Sequence, residues 1–125
     1  MMADGFARAT QKPTVVQIHS SPGLGNSIGA LYQAHRGHAP QVVLGGDAGV
    51  KYQAMDSQMA ADLVSMARPV TRWSTMVTDS ASTLRVLRRA IKIAATPTSF
   101  APEPAGRWAI GPSSTLVTGT STARN

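Results

Sequence analysis

Apolar and polar positions follow two periods along most of the chain. Residues 14–19 (TVVQIH) are β-branched and mostly apolar, as expected of a strand covered on both faces of a parallel sheet. Residues 26–36 place Ile28, Leu31, Tyr32 and His35 at helical spacing, and the intervening SSPGLG stretch predicts a Gly/Pro-bearing turn. Gly37 and Pro40 close that helix. A second buried strand follows at residues 41–44 and runs out at Gly45, Gly46 and Asp47. Strand, helix and strand make a βαβ unit, whose crossover is expected to be right-handed.

The remaining elements are shorter. Residues 3–12 predict a helix with Phe6, Ala9 and Met2 on one face, stopped by Pro13. It has no N-cap residue, so it reads like the middle of a helix. Residues 48–58 read as loop. Residues 59–66 predict a short helix with Met59, Leu63 and Met66 inward, and residues 70–77 alternate as a third strand with one wetter face. A helix capped by Asp79 or Ser80 then runs to Ala95, with Leu84, Leu87, Ile91 and Ala94 on an apolar stripe opposite Arg85, Arg88, Arg89 and Lys92. From Pro97 to Asn125 the chain is rich in Pro, Ser and Thr with no sustained period. No convincing strand returns to the sheet, and an unstructured tail is expected. The pattern predicts an α/β fold: a three-layer α/β/α unit with a mostly parallel sheet over residues 1–96, and a tail over 97–125.

Composition narrows the chemistry. At 125 residues there is room for one small domain. No apolar run reaches the ~20 residues of a membrane span, and no signal-peptide pattern opens the chain, so no membrane partner and a cytoplasmic location are expected. The absence of Cys excludes disulfides, thiolate metal sites and a cysteine nucleophile. Lys and Arg number 12 against 6 Asp and Glu, a net charge of +6. Much of that charge is the Arg85–Lys92 cluster. It is read as a solvated helix face rather than a nucleic-acid surface, because such faces are common, no aromatic is interleaved, and bases near a helix C-terminus complement its dipole. The chain has a single glutamate, Glu103. A mechanism that needs Glu therefore has one candidate.

Two constellations carry candidate chemistry. Gly23, Gly25 and Gly29 form G-x-G-x-x-x-G between a strand and a helix, with Asp47 beyond the second strand. This fits a Rossmann-like site for a nicotinamide or flavin nucleotide, but the spacing is one residue off and Pro22 removes an anion-binding donor. The same glycines also fit a plain βα turn. His19 stands at the C-terminal end of a strand, where open α/β sheets place ligands, and equally suits a satisfied core histidine. His35 and His38 read as a helix-terminal pair without a carboxylate or thiolate to complete a metal set, so no metal site is expected.

Residues 3–13 (ADGFARATQKP), the strand, and then Ser21, Pro22, Gly23, Leu24, Gly25 and Asn26 resemble the ADG(Y/F)AR-x-(T/S)-x-KP…GPG-x-x-N run of thiamine-diphosphate-dependent enzymes. Ala39-Pro40, the Val42-Val43 strand and the RPVTRWS run at 68–74 continue the resemblance in register over residues 2–96. The segment is similar to the pyrimidine-binding domain shared by acetolactate synthases, pyruvate oxidases and 2-oxo-acid decarboxylases. The His19-Ser20 strand ending is most similar to the benzoylformate decarboxylases, in which the matching histidine is an active-site residue.

The resemblance implies thiamine diphosphate as cofactor, with magnesium and the diphosphate bound by a separate domain outside this chain. It also implies a 2-oxo-acid substrate and a homodimer or homotetramer, with no nucleic-acid partner. His19 would move protons, and Gly23, Gly25 and Asn26 would lie against the cofactor. The cofactor carries the electron-sink chemistry. The family's activating Glu is expected a few residues before Ala3, so the chain reads as a truncated pyrimidine-binding domain, silent by itself. Asp47 departs from the Gln that many relatives carry there. Residues 97–125 do not match the family's next strand and are expected to come from a shifted reading frame or altered gene end. Competing readings are the nucleotide-binding module on Gly23, Gly25, Gly29 and Asp47, and a small interaction module using the basic helix.

Overall fold

Four parallel strands form the sheet: β1 (Thr14–His19), β2 (Gln41–Asp47), β3 (Trp73–Val77) and β4 (Ser114–Thr120), in the order β1-β2-β4-β3. The computed structural model describes residues 2–53, 55–96 and 114–120. Around the sheet lie α1 (Met2–Thr10), α2 (Ser20–Arg36), the single-turn α3 (Val50–Gln53), α4 (Leu63–Ala67) with a 3-10 turn at Arg68–Val70, and α5 (Ser80–Ala95).

Alternation along the strands sorts the core into two layers. Val16, Ile18 and Val43 face α2 and α4, where they pack with Leu24, Leu31, Leu63, Ala67 and Val70. Val42, Leu44, Trp73 and Val77 face α5, where they meet Val86, Leu87, Ala90 and Ala94. This is the expected α/β/α arrangement with a parallel sheet. Near-continuous burial of β2 follows from its place between two strands and between two helical layers.

Several expectations are corrected. β1 is an edge strand. Its even-numbered side chains are partly buried, while Val15 is 55% exposed and Gln17 and His19 share its open face. The expected turn at residues 20–25 is helical, so α2 begins at Ser20. A helix accommodates SSPG because Pro22 falls in the first turn, where no backbone N–H is needed. Gly23 and Gly25 each lower helix propensity by about 1 kcal/mol relative to Ala, and burial of Leu24 and Leu31 against the sheet offsets that. α4 begins at Leu63, capped by the Asp62 carboxylate, which accepts from the Ser65 N–H at 2.9 Å; Met59 lies outside it and is exposed. β3 starts at Trp73, after the 3-10 turn that holds Val70. On α1 the buried residue is Ala7, packed against Ala34 and Ala39, while Phe6 is exposed. On α5 the inward stripe is Val86, Leu87, Ala90 and Ala94. Leu84 and Ile91 are 67% and 40% exposed.

The main topological correction concerns the tail. Ser114–Thr120 is the strand that was not expected, and it is internal. Gln41 to Asp47 of β2 pair along its whole length on one side, and all of β3 pairs on the other. STLVTGT carries β-branched residues but no apolar run, so its position is set by the backbone groups it satisfies on both neighbours. The rest of 97–125 lies outside the described residues.

Candidate functional site

All four strands run the same way, so their C-terminal ends share one edge, the edge at which open α/β sheets bind ligands. β1 ends there at His19. The next residue, Ser20, takes a left-handed conformation at φ 51° although it is not glycine, which costs about 1–3 kcal/mol. The conformation is held in place: Ser20 is buried, its hydroxyl donates to the Met59 sulfur at 3.5 Å, and the Ser21 hydroxyl donates to the Met59 carbonyl at 3.1 Å. The bend at Ser20 turns the chain directly from strand into α2.

His19 pairs in register with Gly46 of β2. A Cβ on Gly46 would stand 3.6 Å from the imidazole Nδ1, so the ring borders the space that a side chain at Gly46 would enter. Its side chain is exposed on the open face of the sheet and makes no hydrogen bond among the described residues. That disposes of the satisfied core histidine: the imidazole is free to meet a ligand. Gly23, Gly25 and Asn26 stand in the first two turns of α2, on the other side of the β1 junction. Gly23 is close to Ile18, while Gly25 has open space where a Cβ would be and Asn26 is exposed. The structure thus gathers the four residues at one sheet edge. It does not bring the His19 ring into hydrogen-bond contact with Asn26.

The glycines do not form a phosphate-cradling loop. Gly23, Gly25 and Gly29 are all within α2, which removes the loop geometry on which a dinucleotide site depends. Asp47 lies on the opposite face of the sheet from His19. It lines a cavity of about 310 Å³ with Asp56, Asp62, Ala60, Ala61 and Met76, and its Oδ1 accepts from the Ala48 N–H at 2.7 Å. Among the described residues no three His, Asp or Glu side chains gather to hold a metal ion.

His35 and His38 differ from each other. His35 is 8% exposed in the last turn of α2, its Nδ1 buried without a partner among the described residues. Burial lowers its pKa from the usual 6.5, the Arg36 and His38 charges lower it further, and a contact to the Val70 carbonyl opposes them. His38 is exposed beyond the helix end, at φ 55°. Two features of the edge carried weak sequence signals that were missed. Gly46 was visible only as part of a Gly-Gly pair at a strand end, and nothing in the local pattern marks Ser20 as left-handed.

The profile of the thiamine pyrophosphate enzyme N-terminal TPP binding domain matches residues 1–66. The catalytic subunit of mitochondrial acetolactate synthase from Aspergillus candidus is 37% identical over 95 residues, covering 76% of this chain and 14% of that protein. The benzoylformate decarboxylase of Pseudomonas aeruginosa is 33% identical over 97 residues, covering 77% of this chain and 18% of that protein. Among solved structures, the thiamine diphosphate-dependent 4-hydroxybenzoylformate decarboxylase of Rhodococcus jostii RHA1 superposes with a TM-score of 0.81 at 25% identity. That match covers 95% of this chain and 20% of that one. The chain therefore spans about a fifth or less of the length of these relatives.

Proposed function

The chain belongs to the thiamine pyrophosphate enzymes, through their N-terminal binding domain, and from that premise we propose that it forms part of the cofactor and substrate site of a benzoylformate decarboxylase-like 2-oxo-acid decarboxylase. One observation carries this reading: the last residue of β1 is a histidine whose exposed imidazole stands at the ligand edge, beside Gly46. An imidazole can accept a proton at one ring nitrogen and donate one from the other, which suits a group that protonates or deprotonates a reacting 2-oxo acid.

The residues present fit one side of such a site. Gly25 leaves room for close approach to α2, Asn26 offers an exposed amide, and Gly23 lies beside Ile18 of β1. Bound thiamine diphosphate would supply the electron sink that decarboxylation requires. This chain's residues would contribute orientation along the α2 N-terminus and proton transfer at His19. Magnesium and the diphosphate would be held by a separate domain outside this chain.

The chain by itself is silent under this proposal. Its single glutamate, Glu103, is outside the described residues, so residues 2–96 offer no Glu to activate the pyrimidine ring. The assay is release of carbon dioxide from benzoylformate with thiamine diphosphate and magnesium added. None is expected from this chain. Joining it to the upstream and downstream parts of a decarboxylase relative should restore activity that His19→Ala reduces. Full activity of that His19→Ala fusion would reject the proton-transfer role. Activity from the chain alone, lost in His19→Ala, would reject its silence. A cytoplasmic location and a homodimeric or homotetrameric enzyme belong to the same proposal.

A further inference from the structure

Three features made the basic side of α5 a solvated surface in the sequence, and two of them do not survive folding. The first is the helix dipole. Arg85, Arg88, Arg89 and Lys92 were set toward the C-terminal end, but only Lys92 falls in the last turn. The dipole effect fades within a turn, so it does not account for the three arginines. The second is the lack of an aromatic. β3 brings Trp73 against the helix, and the Arg89 guanidinium lies 5.0 Å above its ring centroid.

The cluster also works against its own helix. α5 contains no acidic residue across Ser80–Ala95. Arg85 and Arg89, and Arg88 and Lys92, are like-charged pairs four residues apart, and such pairs destabilise a helix rather than support it. All four side chains are exposed, and none is in an ion pair among the described residues. Asp79, whose carboxylate feels the Arg85 charge, gives its two oxygens to the backbone and hydroxyl of Ser82. Nearby on the helix surface are the exposed Leu84 and Ile91. A cationic strip with no acidic residue on its own helix, carrying a guanidinium placed over an indole ring, is complementary to a chain of phosphates with planar bases.

We propose that the α5 face of Arg85, Arg88, Arg89 and Lys92, together with Trp73, binds single-stranded nucleic acid without sequence preference. The cations neutralise successive phosphates, since helix positions three and four apart bring their side chains within reach of one strand. The Arg89 guanidinium over the Trp73 ring offers a cation–π pair against which one base can stack. An acidic protein or an anionic membrane would use the charge but not the stack, which is why a single strand is the favoured occupant. This surface lies on the outer side of the α5 layer and does not depend on the reading of the His19 edge.

The experiment is fluorescence anisotropy of the full chain with a short labelled oligothymidylate, titrated over a range of salt. Binding is expected at low salt, with log K falling against log salt at a slope of about −3, the value for four phosphates released from counterions on a single strand. Arg85→Gln/Arg88→Gln/Lys92→Gln should cut the slope to about −1 and weaken low-salt binding by at least ~10-fold. Arg89→Gln should remove one charge and the stack together, weakening binding more than Arg88→Gln alone. Arg36→Gln/Arg68→Gln, which neutralises exposed arginines on other elements, should leave affinity within a few-fold of the parent. Circular dichroism confirms that each variant is folded. Absence of low-salt binding, an unchanged slope in the triple variant, an equal loss in the Arg36/Arg68 control, or equal capture of polyglutamate or anionic vesicles would each overturn the proposal.

Discussion

The His19 imidazole lies beside Gly46, its register partner, with Nδ1 3.6 Å from where a Cβ would stand. That distance is ordinary van der Waals contact, so a single methyl fits, while a branched side chain would drive into the ring. Gly46→Ala should leave the His19 ring signals of an NMR spectrum close to those of the parent. Gly46→Val should displace them and, in a fusion that restores decarboxylation, lower kcat with little change in stability. Unchanged His19 signals in Gly46→Val would show that the glycine does not seat the ring.

His35 sets a pH limit on the fold. Burial in the last turn of α2 is the main cause of its lowered pKa, so the native state takes up a proton less readily than the unfolded chain. The stability it contributes is therefore complete above pH 6.5, the unfolded value, and is lost progressively as pH falls toward the lower native pKa. Asp62 and Asp79 act in a separate window. Their native pKa values are depressed by hydrogen bonds from Ser65 and Ser82, so their contribution is present above 3.8 and is lost only as pH falls below it. Urea midpoints at pH 7.5 and pH 5.5 should fall for the parent chain and change much less for His35→Leu. An equal fall in both would exclude His35 as the source.

α5 depends on its cap. Asp79 accepts from the Ser82 N–H at 2.7 Å and from the Ser82 hydroxyl at 2.6 Å. Asp79→Ala should lower Tm by about a few degrees, and Asp79→Asn should recover most of that because the amide oxygen still accepts. Thermal melts of the two variants distinguish loss of the cap from loss of the charge.

Leu24 is fully buried between α2 and the sheet, in the cluster that includes Val43 and Leu63. Leu24→Ala should cost about 2–5 kcal/mol in urea unfolding, the range for an incompletely relaxed core cavity. Leu84→Ala, on the exposed side of α5, should change stability by no more than about 0.5 kcal/mol. A large loss at Leu84 would mean that this face is covered.

β4 is paired on both sides, with Val117 opposite Leu44 of β2 and Thr75 of β3. Val117→Pro places a proline in a central strand, where its fixed φ and missing N–H are not tolerated. The variant should unfold or lose more than about 3 kcal/mol. A Val117→Pro chain with the parent's urea midpoint would remove β4 from the sheet.

Local pattern in this chain determined what local physics can determine. The β-branched run at 14–19, the apolar spacing of 26–36, Asp79 ahead of α5 and the Ala95 end of that helix are all decided by short-range propensity, periodicity and capping. So is the family, because the ADGFAR…KP and SPGLGN runs are contiguous. Only the tertiary structure decided what depends on neighbours. An alternating strand carries no mark of being an edge, so Val15, Gln17 and His19 became open only because α5 packs over β2, β3 and β4. A Gly/Pro stretch reads as a turn until burial of Leu24 and Leu31 makes the helical conformation the more stable one. STLVTGT has too little apolar surface to announce a strand, and its place between β2 and β3 is decided by backbone hydrogen bonds to partners distant in sequence. Likewise His19 and Gly46, or Arg89 and Trp73, become pairs only when β-sheet register and helix packing bring together residues that no local pattern connects.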